Sequence, residues 1–168
     1  MCAIPKVAVV MGSDSDFPRL VPCIKILKQF DIPLEVHVLS AHRTPYDAEK
    51  FASKAEQNGF GVIIAAAGKA AHLAGVLAAY TTLPVIGIPI LSSTMDGLDS
   101  LLSMVQMPSG IPVATVAIDG AKNAGILAAQ MLSLSCPTLK DKLKVFKEEM
   151  AEGVRAKNAA IKQEVEKL

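Results

Sequence analysis

The sequence predicts an α/β fold: a single-domain, doubly wound parallel sheet of five strands with a long C-terminal helix. Two observations carry that prediction. Short apolar runs alternate along the chain with segments of helical spacing, and parallel neighbours need such crossovers between them. Gly, Pro and polar clusters fall between these segments, where turns must form.

Each element follows in order. Lys6-Val7-Ala8-Val9-Val10-Met11 reads as a buried strand, ended by Gly12-Ser13-Asp14-Ser15-Asp16. Residues 18–30 then place Leu20, Cys23, Ile24 and Leu27 at helical spacing, with Asp16 as the N-cap. A second strand spans 34–39. Pro45 opens a second helix over 45–58, which Gly59 closes. Strand three covers 62–66, and an Ala-rich helix over 70–80 follows Gly68. Strand four, 85–88, sits between Pro84 and Pro89. A loop and a short helix over 97–104 lead to strand five at 113–118, and a further helix spans 121–134. The expected architecture is a flavodoxin-like three-layer sandwich. No internal repeat, low-complexity tract or domain linker interrupts it.

Composition narrows the function classes. A chain of 168 residues fits one domain with a real core, and 51% hydrophobic content argues against disorder. A net charge of +1 gives no general footprint for nucleic acid or an anionic membrane. The apolar runs stop well short of a bilayer span, and residues 1–6 show no basic lead into a signal-type segment. Cys2, Cys23 and Cys136 are odd in number and lack metal-ligand spacing, which implies neither a disulfide framework nor a metal site. These features describe a soluble protein of a reducing compartment, the cytoplasm.

Residues 1–134 form the expected catalytic α/β domain and 135–168 a helical extension. In the extension Leu139, Leu143, Phe146, Met150, Val154, Ile161 and Val165 make one apolar stripe. At about 1.5 Å per residue that helix overreaches a small five-stranded sheet, so a neighbouring subunit is its expected partner. Only 4% of residues are aromatic and the helices after Gly68 and Gly120 are crowded with Ala, which also favours an oligomer. Gly153 is the expected weak point of the last helix.

Chemistry concentrates in Ser40-Ala41-His42-Arg43-Thr44-Pro45, where strand two runs out. In an open α/β sheet ligands bind outside the carboxyl ends of the strands. Imidazole can donate or accept a proton near neutral pH, and the planar guanidinium fork matches a phosphate or carboxylate. Gly12-Ser13-Asp14-Ser15-Asp16 lies at the end of the neighbouring strand. Its glycine permits a tight turn, Ser13 and Ser15 can donate to phosphate oxygens, and the Asp16 carboxylate can accept from ribose hydroxyls. It is neither a Walker loop nor a dinucleotide fingerprint, and a plain capped turn would read the same. Convergence of the two loops puts Ser13, Asp16, His42 and Arg43 at one crevice.

The end of strand three, Ala65 to Gly75, is built of small residues that let backbone approach a ligand, and Lys69 adds a cation. His72 reads as a core or interface histidine satisfied by a hydrogen bond, and His37, opposite Val36 and Val38, as structural. The polar stretch 89–112 is too long for a simple connector and could wall a pocket or form an interface.

Met11-Gly12-Ser13-Asp14-Ser15-Asp16, Ser40-Ala41-His42-Arg43-Thr44-Pro45, Ala70-Ala71-His72-Leu73, Asp99-Ser100-Leu101-Leu102-Ser103 and Val105-Gln106-Met107-Pro108 occur in order. This set resembles the PurE family of purine biosynthesis, over about residues 7–134. The resemblance implies an isomerase that converts N5-carboxyaminoimidazole ribonucleotide to 4-carboxyaminoimidazole ribonucleotide. It implies no metal or organic cofactor and a homo-octamer with sites at subunit junctions. The synthetase that makes the N5-carboxylated substrate is the implied functional partner. By the family pattern His42 is the general acid and base, Ser13, Ser15, Ser40 and Arg43 hold the phosphate, Asp16 the ribose, and the region of Gly68 and Leu73 the carboxylate or trapped CO2. Gly12, Ala41, Ala67 and Lys69 are expected to bind substrate beside them.

The third loop departs from the mutase pattern at Ala66, Lys69 and Ala74. A basic residue at the Lys69 position is typical of the branch that carboxylates aminoimidazole ribonucleotide directly with CO2, whereas Arg43 and His72 favour the mutase. If its backbone needs φ > 0, Lys69 would be strained there. Its side chain is expected to reach the anionic groups of the substrate. A non-catalytic nucleotide-binding module would need the crevice and Arg43 but would have no use for His42.

Overall fold

The structure, a computed structural model, describes residues 3–168; Met1 and Cys2, and with them the reading of Cys2, lie outside the described residues. The strands are β1 (Lys6–Met11), β2 (Leu34–Val38), β3 (Phe60–Gly68), β4 (Val85–Ile90) and β5 (Ala114–Thr115). They form one parallel sheet in the order β2-β1-β3-β4-β5. The helices are α1 (Phe17–Gln29), α2 (Pro45–Lys54), α3 (Leu73–Ala79), α4 (Leu98–Val105), α5 (Ala121–Ser133) and α6 (Pro137–Val165).

Strand periodicity divides the core into two layers. Val7, Val9 and Met11 of β1 and Val62, Ile64 and Ala66 of β3 join the layer that includes residues of α1, α5 and α6. Ala8 and Val10, with Ile63, Ala65 and Ala67, face α2, α3 and Met104 of α4 on the other side. Burying each large aliphatic side chain contributes about 1.5–3 kcal/mol, so the continuous apolar run of β1 is well used in a strand covered on both faces. β2 is different. It lies at the sheet edge and leaves Val36 and Val38 exposed.

Several element bounds differ from the sequence expectation. β3 is longer, because its pairing with β1 starts at Phe60 and its pairing with β4 runs to Gly68. α3 starts at Leu73 instead of residue 70, because after the left-handed Lys69 (φ 56°) the chain makes a tight turn in which His72 N–H donates to Ala70 O at 2.9 Å. α2 stops at Lys54, and hydrogen-bonded turns carry the chain to Gly59, whose φ of 81° ends the segment. β5 keeps only Ala114 and Thr115 of the expected strand, because the chain curls into a turn in which Gly120 N–H donates to Ala117 O at 2.8 Å.

α1 and α5 pack through small residues. A Cβ on Gly125 would overlap the Ile26 side chain and press on the Cys23 carbonyl. Cys23 is a free, fully buried cysteine, and burial pushes its thiol up to about 12. Cys136 is disulfide-bonded, which corrects the reading drawn from the cysteine count.

α6 uses its stripe in two ways. Leu139, Leu143 and Phe146 are buried on the chain's own core, with the Phe146 ring edge-on to Phe30 at 5.4 Å. Lys142 fixes this end by donating to Phe30 O at 3.2 Å and pairing with Asp31 at 2.6 Å. Met150, Val154, Ile161 and Val165 continue the stripe into solvent. The helix passes through Gly153 unbroken, and Arg155 reaches back across it to Glu148 and Glu152. Among the described residues no helix is long and apolar enough to cross a membrane.

Two outcomes follow from the α1–α5 contact. Gly125→Ala forces Ile26 aside and is expected to cost about 1–3 kcal/mol in urea unfolding. Cys23 should also shape the alkaline limb of stability. Its contribution is complete below the unfolded thiol value of 9.0 and is lost as pH rises toward about 12, because only the unfolded chain releases the proton readily. Unfolding free energies measured against pH should therefore fall less steeply above 9.0 in Cys23→Ala than in the parent.

Candidate active site

The order β2-β1-β3 makes a topological switch point between β1 and β3, and a crevice opens at their carboxyl ends. It has a volume of about 640 Å³. Every residue assigned from the sequence lines it: Gly12, Ser13, Ser15 and Asp16 after β1, Ser40, Ala41, His42 and Arg43 after β2, and Ala67, Gly68, Lys69 and Leu73 around the end of β3.

The loop after β1 is a short 3₁₀ turn capped by Ser13, whose Oγ accepts from Ser15 N–H at 3.3 Å. Ser15 Oγ donates to Ser13 Oγ at 2.8 Å, holding both hydroxyls together. A Cβ on Gly12 would meet nothing within 4 Å, so protein packing does not require glycine there. Open space beside the backbone is what an approaching ligand needs. Asp16 occupies the N-cap position of α1 but makes no side-chain capping bond, which leaves its carboxylate to the crevice. Burial raises its pKa above the ordinary carboxylate value, against the lowering influence of Ser15, Arg19 and Ser13.

The loop after β2 is closed on itself. Thr44 N–H donates to Ser40 O at 2.8 Å, and Ser40 N–H donates to Thr44 Oγ1 at 3.0 Å. His42 is carried within this tight turn, and Pro45 starts α2 directly after it. Arg43 donates through its guanidinium to Gly12 O at 3.2 Å and through its backbone N–H to Ser40 Oγ at 3.1 Å. The arginine thus ties the β1 and β2 loops together while keeping further donors of its five for an anion.

His72 has the hydrogen-bond partner that the sequence reading expected, but it is not a core residue. It is an exposed residue at the N-cap of α3, and its Nδ1 lies 3.0 Å from Nε2 of His42. One ring must donate and the other accept. The pair therefore accommodates both forms of His42 provided that His72 stays neutral. With protonated His42, Nε2–H donates to His72 Nδ1. With neutral His42, Nε2 can accept from His72 Nδ1–H. His37, by contrast, stacks on Phe51 at 4.8 Å, away from the crevice, in keeping with a structural part.

Ala70, Ile90, Leu91, Ser92 and Ser93 also line the crevice. Ile90 ends β4 and the next three residues follow it, within the stretch read as a pocket wall. The signal for them is topological: β4 neighbours β3, so whatever follows β4 must border the same opening.

The AIR carboxylase family model matches residues 6–153 of the chain. An N5-carboxyaminoimidazole ribonucleotide mutase of Pyrococcus abyssi is 57% identical over 147 residues, spanning 88% of this chain and 84% of that protein. The mutase of that name from Mycobacterium tuberculosis is 52% identical over 164 residues, spanning 98% and 94%. The crystal structure of Treponema denticola PurE superposes with a TM-score of 0.85 at 29% identity, covering 92% of this chain and 97% of that one. The chain belongs to the AIR carboxylase family.

Proposed function

We propose that this crevice converts N5-carboxyaminoimidazole ribonucleotide to 4-carboxyaminoimidazole ribonucleotide, an isomerisation of purine biosynthesis; relatives named N5-carboxyaminoimidazole ribonucleotide mutase support the reading. The observation that carries the reading is the meeting of a proton-transfer group, an anion anchor and a small-residue floor in one opening. The Ser13–Ser15 turn, Ser40 and Arg43 hold the phosphate, and Asp16 takes the ribose hydroxyls. His42 stands at the reacting end.

The chemistry balances with His42 alone as the proton carrier. The bond between the exocyclic nitrogen and the carboxyl carbon breaks, CO2 leaves, and the nitrogen takes a proton from His42. The electron-rich ring carbon then attacks CO2, and the proton displaced from that carbon returns to His42. Ala67, Gly68 and Leu73 give CO2 a small, mostly apolar place to wait, so recapture is effectively intramolecular. His72 keeps His42 oriented through both halves of the cycle.

The wider setting is part of the proposal. The exposed half of the α6 stripe packs on a neighbouring subunit of a homo-octamer, as an extension over 135–168 of a catalytic domain over 1–134. The enzyme works in the cytoplasm beside the synthetase that supplies its substrate. Lys69 favours a second reading, direct carboxylation of aminoimidazole ribonucleotide, because it puts a cation in the crevice where CO2 or its hydrate would enter. Assaying the N5-carboxylated substrate against aminoimidazole ribonucleotide plus bicarbonate separates the two. Conversion of the first alone supports the mutase.

His42→Asn should lower turnover by about 10²–10⁴-fold with the nucleotide still bound. Parental turnover in that variant would remove the acid–base role. Lys69→Gly should have effects of opposite sign. Relief of the left-handed backbone raises stability by about 1 kcal/mol, while the KM for the carboxylated substrate rises. Calorimetric melting and steady-state kinetics read the two effects. A gain in stability with unchanged KM and turnover would mean that Lys69 touches no substrate.

A further inference from the structure

Asp119 follows the short β5 and is one of the few residues other than glycine with a left-handed backbone, at φ 55°. Its hydrogen bonds explain what that conformation provides. The backbone N–H donates to Pro89 O at 2.8 Å, and the side-chain Oδ1 accepts from Leu91 N–H at 3.0 Å. In a parallel ladder one residue makes both bonds with its own backbone, donating to one carbonyl and accepting from the N–H two residues further on. Asp119 sits at such a ladder position opposite Ile90. Its own carbonyl has turned away to accept from Ala121 N–H at 2.8 Å. The carboxylate replaces that missing carbonyl and prolongs the ladder just where β4 becomes the wall of the crevice.

The second carboxylate oxygen pairs with Arg19 near the start of α1, three residues after Asp16. On the far side of the same wall the fully buried Ser100 donates Oγ to Ile90 O at 2.9 Å. The carbonyl of Ile90 and the N–H of Leu91 are therefore both held by side chains. Asp119 connects this wall with the helix that carries Asp16 at its N-cap. Left-handed residues other than glycine cost about 1–3 kcal/mol and persist where surrounding structure over-determines them.

We infer that Asp119 is a positioning residue of the proposed mutase: its carboxylate fixes Leu91, Ser92 and Ser93 against the nucleotide while anchoring the start of α1 through Arg19. The inference rests on the function proposed above. It acts through geometry, so its signature lies in binding, not in the proton-transfer step.

Asp119→Gly and Asp119→Asn separate the contributions, since glycine suits the backbone but has no acceptor, and asparagine tolerates this backbone and keeps an acceptor for Leu91. Asp119→Gly is expected to raise KM by about tenfold with turnover within about threefold, and to speed hydrogen exchange at the Leu91 amide. Asp119→Asn keeps the acceptor for Leu91 but loses the ion pair with Arg19, so it is expected to bring KM to a value between those of the parent and Asp119→Gly and to keep that amide protected. Titration with aminoimidazole ribonucleotide in bicarbonate-free buffer, which offers no carboxylate to move, measures the same loss of binding without turnover. Parental KM and exchange in Asp119→Gly would overturn the inference, and so would an Asn variant as weak as the Gly variant at equal melting temperature. If Asp119→Gly does not fold, the Asn variant still decides through KM and Leu91 exchange. A parent that fails to convert the N5-carboxylated nucleotide would instead count against the mutase reading.

Discussion

Because β1 pairs in parallel with β2 on one edge and β3 on the other, the chain has to reverse the direction in which its sheet grows. Helices leaving β1 and β3 then cover opposite faces, with α1 on one and α3 on the other. Nothing can fill the gap above the strand ends between them, and that gap is the crevice. The chemical groups are placed by this geometry before any of them makes a contact of its own. Ser13, His42 and Gly68 are far apart in sequence and share an opening only because their strands are neighbours.

Contacts between the loops then turn proximity into a defined site. Arg43 reaches the carbonyl of Gly12, His42 meets His72, and Asp119 reaches Leu91 and Arg19. Each of these joins the ends of two different strands or the helix that follows one. Side chains therefore continue, above the sheet, the work that ladder hydrogen bonds perform within it. Strain collects in the same place: Lys69, Met95, Asp96 and Asp119 all have positive φ and follow β3, β4 or β5.

Much of this was legible in the sequence because burial on both faces leaves an unmistakable run of apolar residues, as in β1 and β4. The assigned site residues were legible because a strand end followed by Gly, Ser, His or Arg says both where a residue is and what it can do. The partner of His72 was not legible, since His42 comes from another strand end and no local pattern links the two. The start of α3 was set too early, as Ala70 and Ala71 favour a helix but the chain there makes a tight turn from Ala70 O to His72 N–H. Asp119 was invisible, because a carboxylate standing in for a carbonyl can be recognised only from the register of β4 against the end of β5. The α6 stripe was legible as a stripe, but its division between a buried first half and an exposed second half depends on where Phe30 and α5 end.

The central place of β1 also governs the order in which the chain can fold. β1 is made first, yet Val9 finds its partners only when Val36 and Ile64 exist. During synthesis at about 5–20 residues per second, a ribosome must continue for several seconds before the strand can be covered. Throughout that interval Val7 to Met11 is a bare apolar ribbon with both edges unpaired. Such non-local pairing is slow to form and open to association with other nascent chains. The strand that organises the finished crevice therefore keeps an unpaired edge until β3 has been made.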